Sequence, residues 1–423
     1  MSRTSPLYSQ HQLAEALFSP YGPEGVAVPI VQTFGVVEVE YAAIRKSTVL
    51  IDEPQRACIE ISGPDRVEFL NRMLTQELKG FAPFSSRSSF WLSRKGRIDA
   101  DLRLVNLTDR VLVDVDTFAA QRTVAGLSAY VITEDVKISD VSTKLHRLSL
   151  HGPTARATLA KVTTPVAGPA LIDLGPNQAC IVEAAGPGGT KFEIAVERFD
   201  MTGEVGLGLA VPIDAVGTLY DQILEAGGYV NGHSGERPAS GTSASVRPAG
   251  WAAFNTARIE AGTPLYYLDF GPDSLPAETG VLDSRVSFTK GCYLGQEIVA
   301  RMHSLGSPKQ VIVCLRMPGP KHAATTDATA DFEAPIAPQP ITGAAVFAAS
   351  AAGSATDLPR PSDLGDPVGA ITSSAISPML GGVPLCFAML KFRHAIANAT
   401  VMVECEGELL PATVQPKLAG WTR

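Results

Sequence analysis

The sequence has no Cys-x-x-Cys pair, and no histidine stands at metal-ligand spacing from any of its six cysteines, Cys58, Cys180, Cys292, Cys314, Cys386 and Cys405. Scattered thiols in a 423-residue chain argue against a local zinc motif and against a disulfide framework. No apolar run approaches the roughly 20 residues that span a bilayer, and Met1 to Gln10 is polar, so no membrane partner is expected. An excess of basic residues is also missing. A formal charge of −8 argues against nucleic acid as a partner. No Gly-x-x-x-x-Gly-Lys-Ser/Thr occurs, and no Gly-x-Gly-x-x-Gly follows a strand, which removes the usual loops that cradle nucleotide phosphates. What remains is a globular chain, 45% hydrophobic and 18% charged, long enough for two or three core-bearing units and expected in the cytoplasm.

The most informative stretch is Lys290-Gly291-Cys292-Tyr293-Leu294-Gly295-Gln296-Glu297. Two glycines bracket a thiol and an aromatic ring, and Ile298 and Met302 then fall one helical turn apart. This reads as a glycine-held loop leading into a short helix, with Cys292 just ahead of the helix N-terminus. Free N–H groups, the helix dipole and the nearby Lys290 would favour thiolate over thiol there. The alternative from the same residues is a small apolar plug in a packed loop.

Elsewhere the patterning is regular. Tyr41 to Lys46 reads as a helix and Cys58 to Ile61 as a strand; Gly63-Pro64 opens a helix whose buried face is Val67, Leu70 and Leu74. The arrangement recurs about ninety residues on, with Leu148 and Leu150 in a strand, Gly152-Pro153 opening a helix, and Ala155 and Leu159 on its face. Two related α+β lobes are therefore expected, or else a coincidence of a common helix start. Between them Phe90 to Leu92 and Ile98 to Val105 form a hairpin turning at Lys95-Gly96, with Ile98, Ala100, Leu102 and Leu104 on one face and Asp99, Asp101 and Arg103 on the other. Two carboxylates about 7 Å apart beside a cation suit proton or ammonium chemistry, and equally suit a solvated strand face. Arg87, Arg94, Lys95 and Arg97 make the hairpin basic. A further helix starts at Trp251, with Trp251, Phe254 and Ala257 inward and Gly262 as its stop; Glu260 lies off that apolar stripe. Residues 236–246 read as loop, and Met317 to Pro367, rich in Pro, Ala, Thr and Ser, as a long insert. The N-terminal residues read as an amphipathic arm through Leu13, Leu17 and Phe18.

The run from Phe288 through Glu297, followed by Ala300-Arg301 and Gly306, resembles the signature of the YgfZ family, folate-binding proteins that assist iron-sulfur enzymes and share the fold of the aminomethyltransferase (T protein) of the glycine cleavage system. Other segments are similar to aminomethyltransferases: Ser5-Pro6-Leu7-Tyr8, Met201-Thr202-Gly203-Glu204, and Gly365 to Gly369 with Ile371 to Gly381. Gly96 to Leu102 looks like Gly-Gly-Ile-Leu-Asp-Asp-Leu, whose acidic pair carries the catalytic aspartate; here Ala100 fills its first position and only Asp101 remains. Arg258-Ile259-Glu260-Ala261-Gly262 matches Arg-x-Glu-x-Gly, whose glutamate grips the pterin.

The resemblance implies an α+β, aminomethyltransferase-like folate-binding fold: an N-terminal arm (1–33), two lobes (34–145 and 146–310) and a C-terminal β-barrel (311–423) with an insert at about 318–364. It implies tetrahydrofolate or a one-carbon derivative as cofactor and iron-sulfur client enzymes as partners. Cys292, Asp101 and Lys290 are the expected catalytic residues, and Glu260, Arg258, Asp99, Arg301 and Tyr293 the expected cofactor contacts. The rival readings are a folate-dependent aminomethyl- or methyltransferase working through Asp101, and a scaffold that kept the fold without the ligand.

Overall fold

Alternating apolar residues in the strand runs and apolar residues one turn apart in the helical runs leave each element with one face to bury. A computed structural model describes residues 3–229, 245–320, 337–349 and 365–420. The chain divides into two compact units, Met1–Phe254 with Asp283–Ala300, and Asn255–Leu282 with Arg301–Arg423. The strands of the first unit are β1 (Leu17–Tyr21), β2 (Val28–Thr33), β3 (Thr48–Asp52), β4 (Arg56–Ser62), β5 (Ser85–Leu92), β6 (Ile98–Asn106), β7 (Arg110–Asp116), β8 (Lys137–Asp140), β9 (Leu145–His151), β10 (Thr163–Ala167), β11 (Ala179–Ala185), β12 (Lys191–Arg198), β13 (Gly206–Pro212) and β14 (Val246–Pro248). Its helices are α1 (Tyr8–Leu13), α2 (Val37–Lys46), α3 (Arg66–Met73), α4 (Thr117–Ser128), α5 (Ala155–Ala160) and α6 (Val216–Ala226). They are followed by α7 (Trp251–Glu260), α8 (Leu282–Arg285) and α9 (Gln296–Leu305).

Two sheets make the first unit, one in the order β5-β6-β7-β4-β8 and the other β10-β11-β12-β13-β9-β3-β14. Each contains the same strand, Gly-Pro, helix step. Gly63 follows β4 at φ 102° and Gly152 follows β9 at φ 134°, a region that disfavours side chains. A Cβ at Gly63 would lie 2.0 Å from the Asp135 carbonyl oxygen, and one at Gly152 would lie 2.2 Å from that of Ser47. Both positions turn the chain hard against a neighbouring backbone, which is why the same dipeptide appears twice.

The sheets share an apolar layer that includes Cys58, Val105, Leu112, Ala179 and Ala210. A charge cluster is buried in the same unit. Asp114 accepts from Arg56 Nε at 2.8 Å and from Arg103 at 2.5 Å, while Arg147 donates to Glu197 at 2.7 Å. Burial opposes the Asp114 charge, yet Arg56, Arg103 and Arg147 hold its carboxyl well below the usual carboxylate range. A second buried carboxylate, Asp52, accepts from Ser5 Oγ at 2.5 Å and lies 3.0 Å from His11 and 2.6 Å from His146. This contact fixes the N-terminal residues, and it corrects the expected arm: Leu13 and Leu17 are 68% and 63% exposed, whereas Leu7 and His11 are buried.

In the second unit, β15 (Gln310–Arg316), β16 (Ala345–Ala348), β17 (Gly369–Ser377), β18 (Val383–Lys391), β19 (Thr400–Cys405) and β20 (Glu408–Val414) close a barrel in the order β15-β18-β17-β16-β19-β20. Inward residues such as Leu315, Val346, Ala388 and Val403 fill it.

Three further expectations change. β3, placed by sequence in the first lobe, pairs antiparallel with β9 in the second sheet. All five of its residues are buried, as suits a strand covered on both faces. The expected insert holds the barrel strand β16, four residues too short for periodicity to register. Its remainder at 321–336 and 350–364, and most of the expected loop at 236–246, lie outside the described residues. On α3, Phe69 is buried and Val67 only half-buried.

Gly152→Ala should lower unfolding free energy by at least about 2 kcal/mol, because the new methyl adds overlap to an unfavourable φ, as urea denaturation will measure. His151 gives a pH signature. Burial, with Arg103 adding to it, pulls this imidazole down to about 3. Below its ordinary range near 6.5 the unfolded chain takes up a proton that the folded chain refuses, so stability falls as pH drops from there toward 3. The urea midpoint should fall between pH 7 and pH 5, and by less in His151→Gln.

Candidate functional site

In the first unit the segment 284–298 is tied to two places. Near its start, Thr75 Oγ1 donates to the Arg285 carbonyl at 2.6 Å, and Ser287 N donates to the Thr75 carbonyl at 3.0 Å. Lys290 Nζ donates to three carbonyls at the end of α3 and just past it, Asn71 at 2.5 Å, Leu74 at 2.6 Å and Gln76 at 3.1 Å. Near its end, Gly295 (φ 81°) meets the β5–β6 hairpin so closely that a Cβ would lie 2.8 Å from the Ser93 carbonyl oxygen. Gly96 at the hairpin tip would place a Cβ 2.8 Å from Ile298 Cβ. Only glycine permits both the left-handed turn and this approach.

Between the two attachments stands Cys292, which is exposed; the other five cysteines are buried. Burial pushes the Cys58 and Cys314 thiols up to about 12 and Cys180 to about 11. Tyr293 turns inward beneath the Lys290 ammonium, 5.3 Å from its ring centroid, and burial raises its phenol to about 12. Lys290 is itself buried, and burial lowers its ammonium to about 8.

The hairpin places Ile98, Ala100, Leu102 and Leu104 in the core. On its other face Asp101 Oδ1 accepts from Arg285 Nε at 2.9 Å, a half-buried ion pair. Sequence reasoning missed Arg285, because its partner lies 184 residues away and no local pattern marks it. Asp99 is half-buried, which raises its carboxyl against the opposing charge of Arg122, and Arg122 donates to its carbonyl at 2.5 Å. In the same unit Arg45 donates to the Thr202 carbonyl at 2.6 Å, beside the buried Glu204.

The second unit holds Glu260 and Arg258, both on α7. Glu260, read from the sequence as lying off the apolar stripe of the helix, is nonetheless 1% exposed, and Ser377 Oγ at the end of β17 donates to its Oε1. Arg258 is fully buried. It donates twice to Asn255 Oδ1 (3.0 and 2.8 Å), to the Thr263 carbonyl (3.2 Å), to Ser373 Oγ (2.6 Å) and to Asp269. Those five bonds use all the N–H groups of a guanidinium, so none remains for the expected contact between Arg258 and a cofactor. Asp269 in turn accepts from Leu265 N, Thr372 and Ser373. Arg301 is exposed on α9. Among the described residues no group of three or more His, Cys, Asp or Glu could hold a metal ion, and no helix is long and apolar enough to cross a membrane.

Residues 7–290 match the family model of the GCVT N-terminal domain. The chain is 27% identical to the aminomethyltransferase of Desulfitobacterium hafniense over 311 residues, covering 73% of this chain and 78% of the relative. It is 25% identical to a probable aminomethyltransferase of Halobacterium salinarum over 442 residues, covering 97% of each. The crystal structure of glycine cleavage system aminomethyltransferase T from Bartonella henselae superimposes with a TM-score of 0.74 at 23% identity, covering 98% of this chain and 97% of that one. The expected fold class, α+β lobes with a C-terminal barrel, is thereby borne out.

Arg258→Met should destabilise the protein by about 3 to 5 kcal/mol in urea denaturation, because Asp269 would stay buried without its cation.

Proposed function

Since the chain belongs to the family of the GCVT N-terminal domain, within the aminomethyltransferase superfamily, we propose that it binds tetrahydrofolate and assists the assembly or repair of iron-sulfur enzymes through the thiol of Cys292. The observation that carries this reading is the contrast among the cysteines: five are buried, and the sixth is exposed on a loop attached to the protein at both ends. A thiol that had only to fill space would be packed away with the others.

Tetrahydrofolate is the cofactor that the family implies, and the donor set fits it. Glu260 offers a buried carboxylate, positioned by Ser377 Oγ, that can accept the adjacent N–H donors of a pterin. Arg258 and Asp269 hold the helix that carries it. When bound, tetrahydrofolate supplies a carrier for one-carbon units.

A second reading, a folate-dependent aminomethyltransferase, is favoured by the names of the relatives and by the retention of Asp101. Against it, Ala100 is buried where an acidic residue would stand, and Asp101 already pairs with Arg285, which offsets the negative charge that would hold an amine.

Cys292→Ala should fold and bind tetrahydrofolate with unchanged affinity by calorimetry, yet fail to restore iron-sulfur enzyme activity in cells lacking the protein; full restoration would defeat the proposal. Tetrahydrofolate-dependent release of ammonia from an aminomethyl donor, lost in Asp101→Asn, would establish the second reading instead.

A further inference from the structure

Lys290 is two residues from the exposed thiol, and from the sequence it looks like a charge placed to activate that sulfur. Its surroundings favour another role. The ammonium has three N–H donors, and three carbonyl oxygens take them: Asn71, Leu74 and Gln76. Asn71 belongs to the last turn of α3, and Leu74 directly follows its last residue. Helix C-termini leave carbonyls without partners and carry the negative end of the dipole, so a cation is stabilised there. Lys290 is buried, and its ammonium lies over the ring of Tyr293, the residue after the thiol. Thus the positive charge is directed into the carboxyl end of α3.

We infer that Lys290 is a positioning residue: it closes the C-terminal end of α3 and thereby fixes the 288–294 loop so that Cys292 is presented to solvent. The far attachment, Gly295 against Ser93 and Gly96, holds the other end of that loop. Removing the ammonium leaves the hairpin contact in place and frees the side of the loop that leads into the thiol. The inference rests on the reading that Cys292 is the functional thiol, but its test needs no client enzyme. Failure of that reading shows in Cys292→Ala, and failure of this one shows in the protein alone.

The test is Lys290→Met, which keeps the length of the stem and removes the donors. Two quantities are read: hydrogen exchange of the amides in 288–294, and the pH profile of Cys292 alkylation by iodoacetamide. Loss of the mooring should speed exchange about ten-fold or more and leave the midpoint of the alkylation profile where it stands in the unsubstituted protein. A midpoint raised by about one unit would mean that Lys290 acts on the thiol charge, and it overturns the inference whatever the exchange does. Unchanged exchange also overturns it. Should Lys290→Met not fold, reductive methylation of the unsubstituted protein decides: Lys290 should react at least about ten-fold more slowly than Lys95 on the exposed hairpin tip, and equal rates overturn the inference.

Discussion

A buried ammonium at the carboxyl end of α3 determines where the exposed thiol stands. Without it, carbonyls at the end of the helix would lose their side-chain partner. With it, a segment more than two hundred residues further along the chain is drawn onto the first sheet, and Thr75 and Ser287 add bonds between the same two stretches. Within the loop Lys290 and Tyr293 turn inward, while Gly291 and Cys292 face solvent.

The charged groups of the interior follow the same logic. Asp114, Asp52 and Asp269 are all nearly inaccessible, and each is surrounded by several donors from distant strands or loops. Desolvating a carboxylate is expensive, and a single cation seldom compensates for it; three or four hydrogen bonds from fixed directions do. Each cluster therefore fastens particular segments together. Asp52 holds the N-terminal residues and Asp114 joins strands of both sheets in the first unit, while Asp269 secures α7 to β17 in the second. Arg258, matched by sequence to a cofactor motif, belongs to the last of these clusters.

Much of the fold was legible because it follows from local rules. The two Gly-Pro helix starts, the alternation along β6 and the glycine turn of its hairpin each express a constraint acting over a few residues, and each appears in the structure. The short strand β16 and the inclusion of β3 in the second sheet were not legible, the first because four residues carry no period and the second because pairing partners are chosen by the whole sheet.

For the candidate site the division is sharper. The sequence by itself determined that Cys292 sits in a glycine-held turn ahead of a helix, that Asp99 and Asp101 share one face of β6, and that a glutamate closes α7, since residue type and spacing of a few positions suffice for each. Tertiary structure alone decided that Lys290 serves helix carbonyls, that Arg285 meets Asp101, and that Glu260 is buried against Ser377. Those partners are separated by 117 to 219 residues, and no local pattern encodes which of many polar groups a folded chain will bring within 3 Å of another.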